Sequence, residues 1–139
     1  MKMRSCYVSN SSSTSFCIVG IVATNDEFDV DSKKLRAALV ADGCDEEQVN
    51  RLDAPEIIDA LNNRFYDRKV RMLLGDISVK HGLGNYSSDD VIVGLDIHDM
   101  HDDESLGQFK NRVYRQLKDI GFTGKRESIS IHVDGGFCG

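Results

Sequence analysis

Between residues 96 and 104 the chain reads Asp96-Ile97-His98-Asp99-Met100-His101-Asp102-Asp103-Glu104, five carboxylates and two imidazoles in nine positions. Three kinds of chemistry fit that inventory. His98 and His101, with Asp96 or Asp99 and a more distant His132, are the donor types of a mixed nitrogen and oxygen metal site, though the HExxH spacing that puts two ligands on one helix face is missing. An Asp-His pair could instead hold an imidazole ready for proton transfer near neutral pH. No nucleophile completes such a set, because the candidate thiol, Cys138, stands one residue from the end of the sequence. Thirdly, Asp96, Asp99, Asp102, Asp103 and Glu104 form an acidic patch suited to a partner with a basic surface. The plain alternative is helix capping: Asp102, Asp103 and Glu104 precede a strong helical pattern, and carboxylates complement the positive end of a helix.

A second chemical inventory lies near the start. Arg4 to Phe16 reads RSCYVSNSSSTSF, with seven serine or threonine residues running straight into an apolar strand pattern. Each hydroxyl both donates and accepts, and successive backbone N–H groups in a turn make a concave anion nest. Arg4, Asn10, Ser11, Ser12, Ser13, Thr14 and Ser15 are therefore candidate contacts for a phosphate-bearing small ligand, with Arg4 supplying a bidentate fork. The competing use is hydroxyl bonding to neighbouring backbone in turns. A Walker-type loop is excluded, since GxxxxGK[ST] is absent and Gly82-Leu83-Gly84 has neither a third glycine nor a following helix.

Three stretches together resemble a group of small, uncharacterised phage and prokaryotic proteins. They are Val8-Ser9-Asn10-Ser11-Ser12-Ser13-Thr14-Ser15-Phe16, then Asp102-Asp103-Glu104-Ser105 with Gln108-Phe109-Lys110, then Asp134-Gly135. Cys6 departs from the glycine usual at that place. The resemblance implies a phage association and carries no established activity with it.

The elements that must position these residues follow from periodicity. Phe16 to Val22 and Val91 to Leu95 are short β-branched runs, expected as buried strands, and Ser128 to Val133 alternates polar with apolar as a strand covered on one face. Leu35 and Leu39 predict a helix from Ser32 to Asp42, capped by Asp31 or Ser32. Ile57, Ile58, Leu61 and Phe65 predict a second, opening at Ala54-Pro55. Leu106, Phe109, Val113, Leu117 and Ile120 predict the strongest helix, closed by Gly121. Lys69 to His81 reads as a strand from the alternation of Val70, Met72 and Leu74, with a continued helix through Leu73 and Ile77 the alternative. The expected fold class is α/β, with α+β the alternative: a small mixed sheet with about three helices packed against it in a single domain. The strands at Val91 and Ser128, joined through the long helix, are expected to be parallel.

Composition narrows the function. At 139 residues the chain suits one domain, and 40% hydrophobic residues suffice for a core. A net charge of −6 argues against sequence-independent nucleic-acid binding. The basic residues Arg64, Arg68, Lys69 and Arg71, and Lys110, Arg112, Arg115 and Lys118, read as solvated counterweights. No apolar run is long enough for a membrane span, and the hydroxyl-rich residues after MKMR do not make a secretory signal. The expectation is a cytoplasmic protein, in the host cytoplasm if phage-encoded, with Cys6, Cys17, Cys44 and Cys138 as free thiols. The reading is a non-enzymatic binding protein that sequesters a phosphate-bearing ligand or occludes a basic protein partner, without a cofactor and with self-association open. A small metal-dependent hydrolase built on His98 and His101 is the alternative.

Overall fold

The computed structural model describes residues 16–31, 34–64, 67–83, 86–87 and 89–134. The run FCIVGIV forms strand β1 (Phe16–Val22), in which both Ile18 and Val19 are fully buried although they point to opposite faces. A strand apolar on both faces belongs inside a sheet, and β1 is central. The order is β2 (Ser78–His81), β3 (Val91–Asp96), β1, β4 (Ser130–Asp134). Ile18 lies opposite Asp96 of β3 on one side and opposite His132 of β4 on the other.

Every adjoining pair is antiparallel. β3 and β4 therefore run in the same direction, as expected of strands joined through a long helix, but they are not partners: β1 lies between them and pairs with both.

Helices cover one face of the sheet, giving a mixed α/β fold. They are α1 (Leu35–Ala41), α2 (Glu46–Val49), α3 (Ala54–Asn62), α4 (Arg68–Leu74) and α5 (Leu106–Asp119). Phe109, Val113 and Leu117, one stripe of α5 at steps of four, are fully buried in one cluster with Val19, Ile21, Val93 and Leu95 of the central strands. Complete burial of such side chains contributes about 1.5–3 kcal/mol each. Leu35, Leu39, Ile57, Ile58 and Leu61 extend the same core. The other face of the sheet holds a smaller cluster, Phe16, Ile18 and Ile92, with Val22, Leu83 and Tyr86 packed on it.

Two expected elements differ. Arg68–Leu74 is helical rather than extended, and only Ser78–His81 of the expected strand is a strand. Val70 and Leu74 satisfy a helical step of four as well as alternation, and the ends decide between them. The Asp67 carboxylate accepts the backbone N–H groups of Lys69 and Val70 at 2.9 and 3.2 Å, and Gly75 at φ 59° closes the helix in a conformation unfavourable to other residues. Asp31 does not cap α1. Its carboxylate takes Arg36 Nε at 2.9 Å, Lys34 stands at the cap position with φ 59°, and Ser32 lies outside the described residues. Cys17 and Cys44 are partly buried, and Cys44 is a free thiol; Cys6 and Cys138 lie outside the described residues. No helix among the described residues is long and apolar enough to cross a membrane.

Candidate functional site

The acidic segment leaves β3 at the end of the central sheet and enters α5. Asp96 begins the turn: its Oδ1 accepts the backbone N–H of His98 at 2.8 Å and lies 2.7 Å from His98 Nδ1, which winds Ile97–Asp99 into one 3-10 turn. Ile97 and Met100 pack against the main core and anchor the segment on its inner side. Between them and beyond, the side chains of His98, Asp99, His101, Asp102 and Asp103 are exposed.

Glu104 and Arg112 fix the second half. Arg112 donates to the Glu104 carboxylate from Nε at 3.0 Å and from Nη2 at 2.9 Å, and Nη2 also reaches the Asp99 carbonyl at 2.8 Å. The Glu104 carboxylate accepts the His101 backbone N–H at 3.0 Å as well. One guanidinium thus ties the turn to α5 at two points, and its Cζ sits over the Phe109 ring, 5.0 Å from the ring centre. Arg112 is not the solvated helix-face residue expected from periodicity. Its hydrogen bonds, reinforced by the His101 amide, hold the Glu104 carboxyl down at about 2.

The cap of α5 is Ser105, not an aspartate. Ser105 Oγ accepts from the Gln108 backbone at 3.1 Å while Gln108 Oε1 accepts from the Ser105 N–H at 2.8 Å, a reciprocal capping box. Asp102 and Asp103 are thereby left out of the helix start. Both are exposed, as is Asp99, and neither Asp102 nor Asp103 forms an ion pair with a described residue. A shallow, open depression of about 370 Å³ runs beside them, lined by His101, Asp103, Glu104, Gln108, Asn111 and Arg115.

The three histidines do not converge. His98 bonds Asp96, the largely exposed His101 ring lies 4.0 Å from Glu104 Oε1, and His132 sits two strand spacings from Asp96, roughly 9–10 Å away. Among the described residues no three His, Cys, Asp or Glu side chains gather where they could hold a metal ion.

His132 belongs to a different arrangement on the open face of the sheet. Its Nε2 lies 3.1 Å from the Gly20 carbonyl and 3.3 Å from Ser130 Oγ, and its Nδ1 lies 2.8 Å from the Tyr86 hydroxyl. A carbonyl only accepts, so Nε2 carries the proton and Nδ1 accepts from Tyr86. Burial pushes the imidazole below its usual pKa, partly offset by the bond to Gly20. One pleat further along β4, Asp134 is 1% exposed and accepts the backbone N–H groups of Leu83 and Tyr86 at 2.5 and 3.0 Å. Together they pin the loop after β2 over Phe16, Ile18 and Ile92. The linking of Tyr86 with His132 and Asp134 was not expected, nor was the structural role of Arg112. The period-two placement of Ser130, His132 and Asp134 on one face was the available signal.

Arg4 and Asn10 to Ser15, the candidate phosphate contacts, lie outside the described residues. Comparison of the chain with protein-family models, with curated proteins and with solved structures returns no match, so the residues themselves carry the functional argument.

Proposed function

We propose that the protein is a non-enzymatic binding module whose 96–104 turn docks on a basic protein surface. One observation carries this reading: the turn separates its acids by use. Asp96 and Glu104 are consumed in holding its shape, by the His98 backbone and by Arg112 respectively, while Asp99, Asp102 and Asp103 stand exposed on the rigid result. Carboxylates held this way lose little freedom on binding, and a compact set of like charges speeds the approach of a cationic partner.

An arginine-rich peptide is the probe. Binding measured by fluorescence anisotropy is expected to weaken at least tenfold in Asp99→Asn/Asp102→Asn/Asp103→Asn. A control that removes three charges elsewhere, Asp45→Asn/Glu46→Gln/Glu47→Gln, also from exposed positions, is expected to bind within about twofold of wild type. Equal weakening in both variants would mean that the peptide reads net charge alone, and the proposal would fall.

A further inference from the structure

Helix α4 turns Val70 and Leu74 into the core and leaves Arg68, Lys69, Arg71 and Met72 on the outside. Met72 is 76% exposed, the most exposed large apolar side chain among the described residues. None of the three cations forms an ion pair with a described residue. An exposed apolar side chain flanked on its N-terminal side by cations that form no ion pair with a described residue, on an otherwise acidic protein, fits a partner with carboxylates.

The complementary surface is on the same molecule. Asp76, two residues past the end of α4, and Asp99 of the acidic turn both act on the Arg112 guanidinium, and a methyl group at Gly75 would lie 3.8 Å from Gln116 Oε1 of α5. The basic helix and the acidic turn therefore border the same stretch of α5, yet they do not pair with each other within the chain. A surface with adjacent patches of opposite sign matches itself after a two-fold rotation, which closes a dimer instead of propagating a filament.

We infer that the occupant is a second copy of this chain: across a two-fold axis, Arg68, Lys69 and Arg71 of each copy face Asp99, Asp102 and Asp103 of the other, with Met72 buried between them. The inference rests on the reading of the 96–104 turn as a docking segment and names its partner. Each copy carries a net charge of −6, so the copies repel at long range. At about 0.1 M salt the screening length is roughly 10 Å, which suppresses that repulsion while leaving charges in contact attracted.

Sedimentation velocity of the full chain at about 100 μM tests it, at about 0.1 M and about 1 M salt. The expected result is a dimer at the lower salt whose dissociation constant rises at least tenfold at the higher. Arg68→Glu/Arg71→Glu and Asp102→Lys/Asp103→Lys, each checked for a wild-type circular dichroism spectrum, are each expected to be monomeric alone. An equimolar mixture of the two is expected to form a heterodimer, because the reversed helix of one variant then faces the reversed turn of the other, and the second contact is native on both sides. A wild-type monomer under both conditions, or a dimer that neither variant disturbs, overturns the inference. If the wild type is monomeric but the arginine-rich peptide still requires Asp99, Asp102 and Asp103, the second copy is excluded and the docking turn stands.

Discussion

Replacing Asp134 by asparagine tests what holds the loop after β2 to the sheet. Asp134 is the one buried polar or charged side chain among the described residues, and its Oδ2 receives two backbone N–H groups, from Leu83 and Tyr86. Asparagine keeps the shape and one carbonyl oxygen but removes the charge, and if its amide nitrogen takes the Oδ2 place it sets donor against donor. Hydrogen bonds to a charged group are worth about 1.5–3 kcal/mol each, about twice neutral ones, so the substitution either weakens both bonds or breaks both. For a chain of this length 1 kcal/mol corresponds to about 3–5 °C, so the melting temperature should fall by about 5–15 °C. Alanine, which removes the acceptor of both bonds, should cost about twice as much. Calorimetry gives the global effect, and amide hydrogen exchange at Leu83 and Tyr86 gives the local one. Tyr86→Phe, which deletes only the hydroxyl facing His132, should cost about 1 kcal/mol and spare the protection of the Leu83 amide. A melting temperature within about 2 °C of wild type for Asp134→Asn, with both amides as protected as before, would refute the reasoning.

Acid should loosen the 96–104 turn in a defined window. Since Arg112 holds the Glu104 carboxyl at about 2, the unfolded chain takes up that proton first; the pair's contribution is complete above the ordinary value of about 4.3 and is lost as pH falls toward 2. Thermal melts across that range should flatten in Glu104→Gln, and an unchanged slope would remove the role given to the pair. His132, pushed below 6.5 by burial, contributes stability that is complete above that value and is lost as pH falls beneath it. An NMR titration of its ring proton should show a midpoint under about 6.5, and a midpoint above it would contradict the burial argument. Gly94→Ala should lower the melting temperature by about 5–10 °C, because a Cβ there would meet the Val19 carbonyl at 2.2 Å and Gly20 Cα at 2.7 Å. A wild-type melt would mean that the strands separate more easily than their close approach implies.

How far the fold was legible follows from which forces act locally. β1 and α5 are set by their own periodicity, so Phe16–Val22 coincides with the expected strand and the Phe109, Val113 and Leu117 stripe is buried as expected. The segment from Lys69 to His81 is ambiguous by period. Its decisive features, Asp67 before and Gly75 after, are end signals that a count of apolar positions overlooks. Ile131 shows the opposite limit. Its alternation with Ile129 and Val133 predicts burial, yet it is 46% exposed, because β4 is an edge strand at which the helical layer stops. No local pattern contains that information; it depends on β1 taking the place between β3 and β4.

The candidate site divides in the same way. That carboxylates and imidazoles would stand between a buried strand and the strongest helix was readable, because the strand end and the helix start bracket residues 96–104. Which acids work inside the fold and which face outward was not, since it turns on Arg112, eight residues past Glu104 and two helical turns into α5. The capping box at Ser105 and Gln108 matters equally: by satisfying the helix start with neutral groups, it releases Asp102 and Asp103 from the task that sequence alone would assign to them. Charge that a fold does not spend on its own helix end is left on the surface, and such surplus, held on a turn made rigid by Glu104 and Arg112, is where partner recognition should first be sought.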